Sequence, residues 1–525
     1  MYRCPVMEKV EAEYQLLKGH YLTITRQIGS LEYIKALVGP IGLEKWLDSI
    51  RSRTLKKWDL STYQLQEPAV RLSTCVIPVD IANSLSAMTN IQNPQSLYTT
   101  FLEQPPSCLE FCPSAPDYLI IGTYLLSESS TANSTGTQTK TGTIQLFRLD
   151  PESFQLTQIH KTLLPHAVFD VHFSPRDPSL FAIATSAASV SLYSLEYSSP
   201  QNPHIILHLT TITAHENPSI PSLYLSWLPP SHLTAGNKGK EHSHAHGYSP
   251  DQLSTDGFAV SFSDGRVSIF HTNSPSHDFS QDSMTEIVLP GEPVEVWFTA
   301  FHYGKSLSGK ENLLLFSGDD FGVLRVHEFV ADGEGNEKQR PLWAEGQFPA
   351  QTTDVSVGGK HHGAGITAIL PLFTEDSDTV LLTGSYDEYL RVYKFSGQTS
   401  VLAEERLGGG VWRLMVITEV ENEPLAMEGS SDIRSHSYFV LASCMHAGVR
   451  IVRVTCSVGK DTSAAGAWEI ETLAQFTEHE SMNYASDVWR GGTKVGTQIG
   501  KESDSLLCVS SSFYDKRVCV WKVKV

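Results

Sequence analysis

An all-β fold built from seven repeated units is what this sequence predicts, and three observations carry it. From about Ser96 onward, apolar strand-like runs are separated by turn-forming residues. One unit recurs along that stretch: an apolar strand, a loop, a second apolar strand, a tight turn, then an alternating strand ending in an aromatic. The length, 525 residues, is large for one ordinary domain but suits a single repeat array.

Residues 1–67 differ from all that follows. Val10 to Leu17 and Leu31 to Leu47 have helix-like spacing, broken at Gly39-Pro40, and predict a short helical N-terminal extension. Arg51, Arg53, Lys56 and Lys57 form a basic cluster that reads as a solvated helix end or as a short contact to nucleic acid or a phosphoprotein. Residues 68–95 read as a loosely structured connector. The repeats occupy 96–525. The first, CLEFCP…YLIIGTYLL…GTIQLF, ends at Phe147; the next ones end at Tyr193, Phe270, His327, Tyr393, Val452 and Trp521.

Composition sets limits on function. Apolar content of 41% with 18% charged residues is that of a soluble globular protein. A formal charge of −19 argues against general nucleic-acid binding, which needs clustered cations, and suits a basic partner surface. Eight cysteines lack CxxC spacing, and Glu8, Glu11 and Glu13 fall where a secretory signal needs an apolar core. No apolar run approaches the ~20 residues of a membrane span. The expectation is a cytoplasmic protein with reduced thiols and no membrane contact, Cys75, Cys508 and Cys519 packing in the core.

The Ser-x-Asp of Ser385–Asp387, the Ser-Asp-Gly of Ser263–Gly265 and the closing Trp521-Lys522 resemble the WD40 repeat. The resemblance implies a seven-bladed WD40-type β-propeller over roughly 96–525. The last unit stops after its third strand, so its sheet needs an outer strand; the strand-like Ser96–Phe101 is expected to supply it and close the ring. Four polar insertions, Ser127–Thr141, Pro229–Gly257, Glu419–Ser437 and Gly491–Ser503, are too poor in apolar residues to order themselves.

The common enzyme signatures are missing: no Gly-x-Ser-x-Gly, no His-Glu-x-x-His, no Walker loop and no GxGxxG after a strand. No cofactor or metal is expected. His242, His244 and His246 have a spacing that suits a metal on a strand, but they sit in a compositionally biased insertion. The repeat register is more informative. Six positions before the end of each unit lies the turn between second and third strands, holding Thr141, Ala187, Asp264, Phe321, Asp387, His446 and Asp515. An aspartate there ties the turn together, so Asp264, Asp387 and Asp515 read first as structural. His446 stands in an aspartate position near Cys444, and an imidazole can act as a general base. These turns and the loops between blades should open on one face. That face would also receive Gly408–Gly410, Trp412, Arg413, His479 and Glu480. The glycine amides could hold an oxyanion, or the triplet is a tight turn. Trp412-Arg413 could recognise a carboxylate, or pack as a buried ring with a surface cation. His166, His215, His362 and His479 precede first strands and read as blade-bonded.

GSYDEYLRVY, GGGVWRL, ASCMHAGVRI, NYASDVW and SSSFYDKRVCVW together resemble the diphthine methylesterase family, WD-repeat proteins of diphthamide biosynthesis. The resemblance implies a carboxylic ester hydrolase that removes a methyl ester from a modified histidine of translation elongation factor 2. The resemblance maps no catalytic residue; for such a reaction the residues themselves offer His446 as the candidate base, Asp387 or Asp515 as its orienting partner, and Cys444 as the alternative nucleophile. Gly409, Gly410 and Arg413 are candidate oxyanion donors, with Trp412 and His479 on the substrate side. The alternative is a non-catalytic adaptor presenting the factor to another protein of that pathway.

Overall fold

The computed structural model describes residues 91–128, 138–198, 204–229, 256–272, 279, 284–289, 293–305, 311–329, 351–357, 361–372, 379–395, 399–422, 433–459, 467–491 and 505–524. The expected helices of 1–67, most of the 68–95 connector, Cys75 and the His242–His246 triplet lie outside these residues.

All regular structure among the described residues is β, arranged as seven antiparallel sheets. Blade 1 runs from inner to outer strand as Pro106–Phe111, Tyr118–Thr123, Gln138–Leu149 and Leu156–Leu164. Blade 2 is Val168–Phe173, Leu180–Thr185, Ser189–Tyr197 and His204–Thr213. Blade 3 is Ser222–Trp227, Asp256–Phe262, Arg266–Thr272 and Met284–Val288, and blade 4 is Val296–Lys305, Glu311–Asp319, Leu324–Phe329 and Gln351–Val357. Blade 5 is Ile366–Leu372, Thr379–Ser385, Tyr389–Phe395 and Ser400–Arg406, and blade 6 is Arg413–Asn422, Ile433–Ser443, Val449–Gly459 and Ala467–Phe476. Blade 7 takes Asn483–Val488, Ser505–Ser512 and Arg517–Lys524 from the end of the chain and Ser96–Phe101 from its beginning. Each inner strand touches the inner strands of both neighbouring blades, blade 7 meeting blade 1, so the sheets form a closed seven-bladed propeller.

Closure follows the expected route. Thr99 pairs with Cys519 and Phe101 with Arg517, giving the last sheet its fourth strand. The added strand is exposed at every second residue, as an outer edge must be, whereas second strands such as Tyr118–Thr123 and Leu180–Thr185 are buried throughout because blades cover both their faces. Seven buried apolar clusters lie between neighbouring blades; Ile120 and Ile144, for example, pack with Val171 and Phe181.

Two expectations need correction. Thr141 is not in a turn: it lies in the strand Gln138–Leu149 opposite Leu125 of an extra strand, Leu125–Glu128. Backbone pairing thus extends into the Ser127–Thr141 insertion, and likewise into Glu419–Ser437, where Glu421 pairs with His436. Ladder hydrogen bonds order backbone that has little apolar surface to bury. The end of the connector is also tied down, Gln92 exchanging backbone hydrogen bonds with Leu473 and Gln475 on the outer strand of blade 6.

Candidate functional site at the channel mouth

The second-to-third-strand turns and the inter-blade loops open on one face, and their contacts show it. Asp387 accepts the Gly363 N–H from the loop before blade 5, at 2.7 Å, and Asp515 accepts the Glu480 N–H from the loop before blade 7, at 3.1 Å. Both aspartates also serve their own blades. Asp387 accepts from Tyr389 N–H and pairs with Arg391 at 2.9 Å; Asp515 accepts from the Ser481 hydroxyl and lies 3.8 Å from Arg517. Burial raises the pKa of each carboxyl, but Arg391 and the backbone N–H groups at Asp387, and the Ser512 and Ser481 hydroxyls with the Glu480 N–H at Asp515, outweigh it and leave both below the ordinary aspartate value. Neither hydrogen-bonds His446.

His446 is exposed, and among the described residues it makes no hydrogen bond or ion pair. Its turn is built differently from the others. The residue before the third strand's start is left-handed in blades 2, 5 and 7, at Ala188 (φ 57°), Glu388 (φ 73°) and Lys516 (φ 57°), and Gly265 takes the same place in blade 3. In blade 6 Gly448 (φ 80°) takes that same place, and Met445 (φ 43°) is left-handed in addition. Without an aspartate to accept its N–H groups, this turn closes through Cys444 N–H to the Gly448 carbonyl and Gly448 N–H to the Met445 carbonyl. Arg450 matches Arg391 in register, since Leu390 opposes Gly384 as Val449 opposes Ser443. Lacking the aspartate, Arg450 donates instead to the Ala447 and Val449 carbonyls while remaining buried.

Cys444 is fully buried and its thiol is pushed up to about 12 by burial, Arg450 offsetting this only in part, which disfavours a thiolate there. Gly409 and Gly410 are buried in a tight inter-blade turn. A Cβ on Gly409 would run into the Cys444 carbonyl, and one on Gly410 would lie 2.7 Å from Met445 Sδ. His479 lies inside blade 7: its Nε2 is 2.8 Å from Ser510 Oγ, which also accepts the Trp521 Nε1–H at 3.0 Å, and burial brings its pKa down to about 4. His215, 3.1 Å from Asp264, is blade-bonded too, whereas His166 is exposed.

Arg413 is placed quite differently, and it leads into the channel. Aligned by register, the third residues of the inner strands include Asp170, Tyr224 and Phe298, with Arg413 in the matching place after Val411-Trp412; the fifth include Glu110, His172 and Asp487. Period-two alternation points third and fifth residues the same way. Arg413 of blade 6 crosses to blade 2, its Nη2 3.6 Å from Asp170 Oδ1, and its guanidinium carbon lies 4.8 Å from the Tyr224 ring centre, 4.9 Å from Trp412 and 5.6 Å from Phe298. Beyond Asp170 the network continues: Asp170 Oδ2 is 3.0 Å from His172 Nε2, and His172 Nδ1 is 2.9 Å from Glu110 Oε2. Burial works against the imidazolium, but the two carboxylates outweigh it and hold His172 at about 10, protonated at neutral pH. The acids also bind blades together, since Glu110 accepts the Phe173 N–H, Asp170 the Leu225 N–H and Asp487 the Phe111 N–H of the next inner strand.

Above this network is a rim of partly exposed aromatic rings. The pairing register slips at the second residue of the inner strands of blades 2, 4 and 7, which is Phe169, Trp297 or Tyr484; such bulges re-aim a side chain. Ring centres run from Phe169 to Tyr124 at 5.3 Å, to Phe513 at 6.1 Å, to Tyr484 at 5.6 Å and to Trp412 at 5.0 Å. Trp297, Tyr386 and Trp412 close the series with mutual spacings of 5.7–6.0 Å. Of the residues predicted from sequence, the structure brings Arg413 and Trp412 together here. Sequence reasoning missed Asp170, His172, Glu110 and the rim; stacking the seven first strands and reading down their second, third and fifth columns would have found them.

No protein-family model matches the chain. A Schizosaccharomyces pombe protein named "Diphthine methyltransferase" is 25% identical over 431 residues, covering 81% of this chain and 96% of that protein. The Saccharomyces cerevisiae protein of the same name is 23% identical over 469 residues, covering 83% and 100%. A human protein of that name aligns over 193 residues at 25% identity, covering 37% of this chain and 32% of its own length. The chain is thus a homologue of the yeast proteins named diphthine methyltransferase, the kind of protein that its fifth- to seventh-blade motifs resemble.

Proposed function

We propose that the chain acts in diphthamide biosynthesis as an ester hydrolase, removing the methyl ester of diphthine from translation elongation factor 2 in the cytoplasm. The observation that supports this most is Arg413. It is a guanidinium whose Nη2 lies 3.6 Å from one buried carboxylate, with aromatic rings around it and its Nη1 donating to the Thr367 and Trp412 carbonyls. Such a group can polarise an ester carbonyl and stabilise the oxyanion that forms on it. In the step envisaged, water adds to the ester carbon while His446, an exposed imidazole in the blade 6 turn, takes its proton. The C–OCH3 bond then breaks and methanol leaves with that proton. Asp170 positions Arg413. Cys444 has no part in this scheme, and Asp387, Asp515 and His479 hold blades together.

The test is turnover by the purified protein on methyl-esterified factor, read as methanol release and the loss of one CH2 unit by mass spectrometry. Arg413→Lys keeps the charge but loses the planar fork, and kcat/KM should fall roughly 100-fold or more. His446→Ala should lower kcat roughly 100-fold or more, while Cys444→Ser should leave it unchanged. The name of the yeast relatives favours a second reading, transfer of the methyl group to another acceptor, which would give a methylated acceptor and no methanol. Activity that appears only when another protein of the pathway is added would favour the adaptor.

A further inference from the structure

Exposed apolar side chains are not spread evenly over the propeller. Among the described residues ten large ones stand in solvent, and six of them, Phe101, Leu126, Leu163, Val288, Phe321 and Tyr514, lie at the mouth ends of the blades. Register places them there: Phe101 opposes Arg517 at the start of a third strand, Leu163 opposes Thr143, and Tyr514 sits in the turn before Arg517. Single exposed apolar residues are ordinary on a soluble protein. Four of the six, however, belong to the adjoining blades 7 and 1: Phe101 and Tyr514, and Leu126 and Leu163, with exposures of 61%, 68%, 46% and 74%. Lysine stems close the gaps between them. Glu103, in the loop joining the two blades, takes Lys161 Nζ on its carboxylate at 2.6 Å and Lys516 Nζ on its backbone carbonyl at 3.0 Å. Lys161 is two residues before Leu163 on the outer strand of blade 1 and so shares its side, and Lys516 follows Tyr514 by two. An ammonium held in this way lays its methylene stem on the surface beneath it.

The strip formed in this way is continuous with the channel rim. The Tyr514 ring centre is 5.0 Å from Phe513, which is 6.1 Å from Tyr124 and 5.6 Å from Tyr484, and Leu126 follows Tyr124 by two residues. From rim to outer strand it crosses one blade, roughly 15 Å at ~4.8 Å between strands. We propose that this strip over blades 7 and 1 is a docking surface for the folded protein substrate, and that it receives the apolar surface beside the modified side chain. The inference rests on the reading that the site acts on a side chain of another protein. Such a side chain enters the channel alone, and the surface around its base is then brought down on this face of the propeller. The channel can hold the side chain only, so the rest of the contact lies outside it. Protein interfaces are centred on aromatic and apolar groups, with charge depleted at the core. The strip has that composition, and its lysines are already engaged by Glu103. A partner surface of low charge fits it.

The experiment uses the full chain and two readouts. Biolayer interferometry gives its affinity for elongation factor 2 whose ester has already been removed, where no turnover intervenes. Methanol release gives KM and kcat on the methyl-esterified factor. Tyr514→Ser and Leu163→Ser should each weaken binding about fivefold, and together about twentyfold, with KM rising in parallel and kcat staying within about twofold. Tyr514→Phe keeps the ring and should bind as the unaltered chain does. Tyr197→Ser removes an equally exposed ring, 64% exposed, from the opposite end of blade 2 and should change neither readout. Urea midpoints check folding; if the double variant is destabilised, the two single variants decide. Affinity and KM that both single variants and the double variant leave within about twofold overturn the proposal, as does an equal loss in Tyr197→Ser. A strip that instead joins two copies of the chain would show as a change in sedimentation with factor binding unaltered, and that also overturns it. If the variants lose affinity but the unaltered chain releases no methanol, the docking surface stands and the hydrolase reading falls. Methanol release with unaltered KM and affinity in the variants gives the reverse.

Discussion

His446→Asp would restore to blade 6 the turn residue that blades 3, 5 and 7 possess, and the structure gives the expected gain. In blade 5, Asp387 pairs with Arg391 at 2.9 Å and accepts two backbone N–H groups. Arg450 sits at the matching place, 9% exposed, with only carbonyl acceptors. A hydrogen bond to a charged group contributes about 1.5–3 kcal/mol, and one side of this turn is open to solvent, so the lower part of that range applies, about 1.5–2 kcal/mol. For a unit of roughly 430 residues the unfolding entropy is ~0.9 kcal/mol/K, giving a rise in Tm of only about 2 °C. Urea midpoints for His446→Asp, Arg450→Met and the double variant are the better readout, because the cycle isolates the pair. The new carboxyl should have a lowered pKa, as Asp387 has, so its contribution is present above the unfolded aspartate value and disappears as pH falls through the folded one. The same variant should lose ester turnover while gaining stability. A coupling below ~0.3 kcal/mol would refute the reasoning, showing that carbonyls already satisfy Arg450.

Three further outcomes follow from the described contacts. Asp170→Asn removes the anchor of both Arg413 and His172; NMR titration should show His172 falling well below about 10. Because that pKa is raised on folding, its contribution is complete below about 6.5 and lost as pH climbs through about 10, so the variant's stability should vary less over that window. Gly409→Ala drives a methyl into the Cys444 carbonyl and should cost at least ~2 kcal/mol, measured as a lower urea midpoint at unchanged slope. Thr99→Pro breaks the ladder opposite Cys519 and should cost ~2 kcal/mol or more, with increased aggregation on heating as the Arg517–Lys524 strand loses its neighbour.

The architecture was legible because repetition multiplies weak signals. Each strand of this chain is ambiguous alone, but seven copies of strand, turn and alternating strand leave one solution, and the shortage of a fourth strand at the end called for Ser96–Phe101. The turn register was right in six of seven blades; it failed at Thr141, where backbone pairing extends an inserted hairpin. The channel network escaped notice for a different reason. Asp170 and Arg413 lie far apart in sequence, and their contact exists only because a ring of seven brings blade 2 opposite blade 6. Turn chemistry is local and can be read within ten residues. A channel is a property of closure, visible only after the repeats are stacked and compared column by column.

Blade 7 also has a temporal meaning. Thr99 and Cys519 are hydrogen-bond partners 420 positions apart. During synthesis the strand around Thr99 is among the first parts of the propeller to appear, yet its partner is made only when nearly all the other blades exist. Until then an unpaired edge has to wait, exposed to other strands, and the channel that gathers Glu110, Asp170, His172 and Arg413 has no fixed width. A nascent or truncated chain would therefore carry folded blades without a working centre. Ring closure would then be the event that makes an assembled site out of residues already in place on their separate blades.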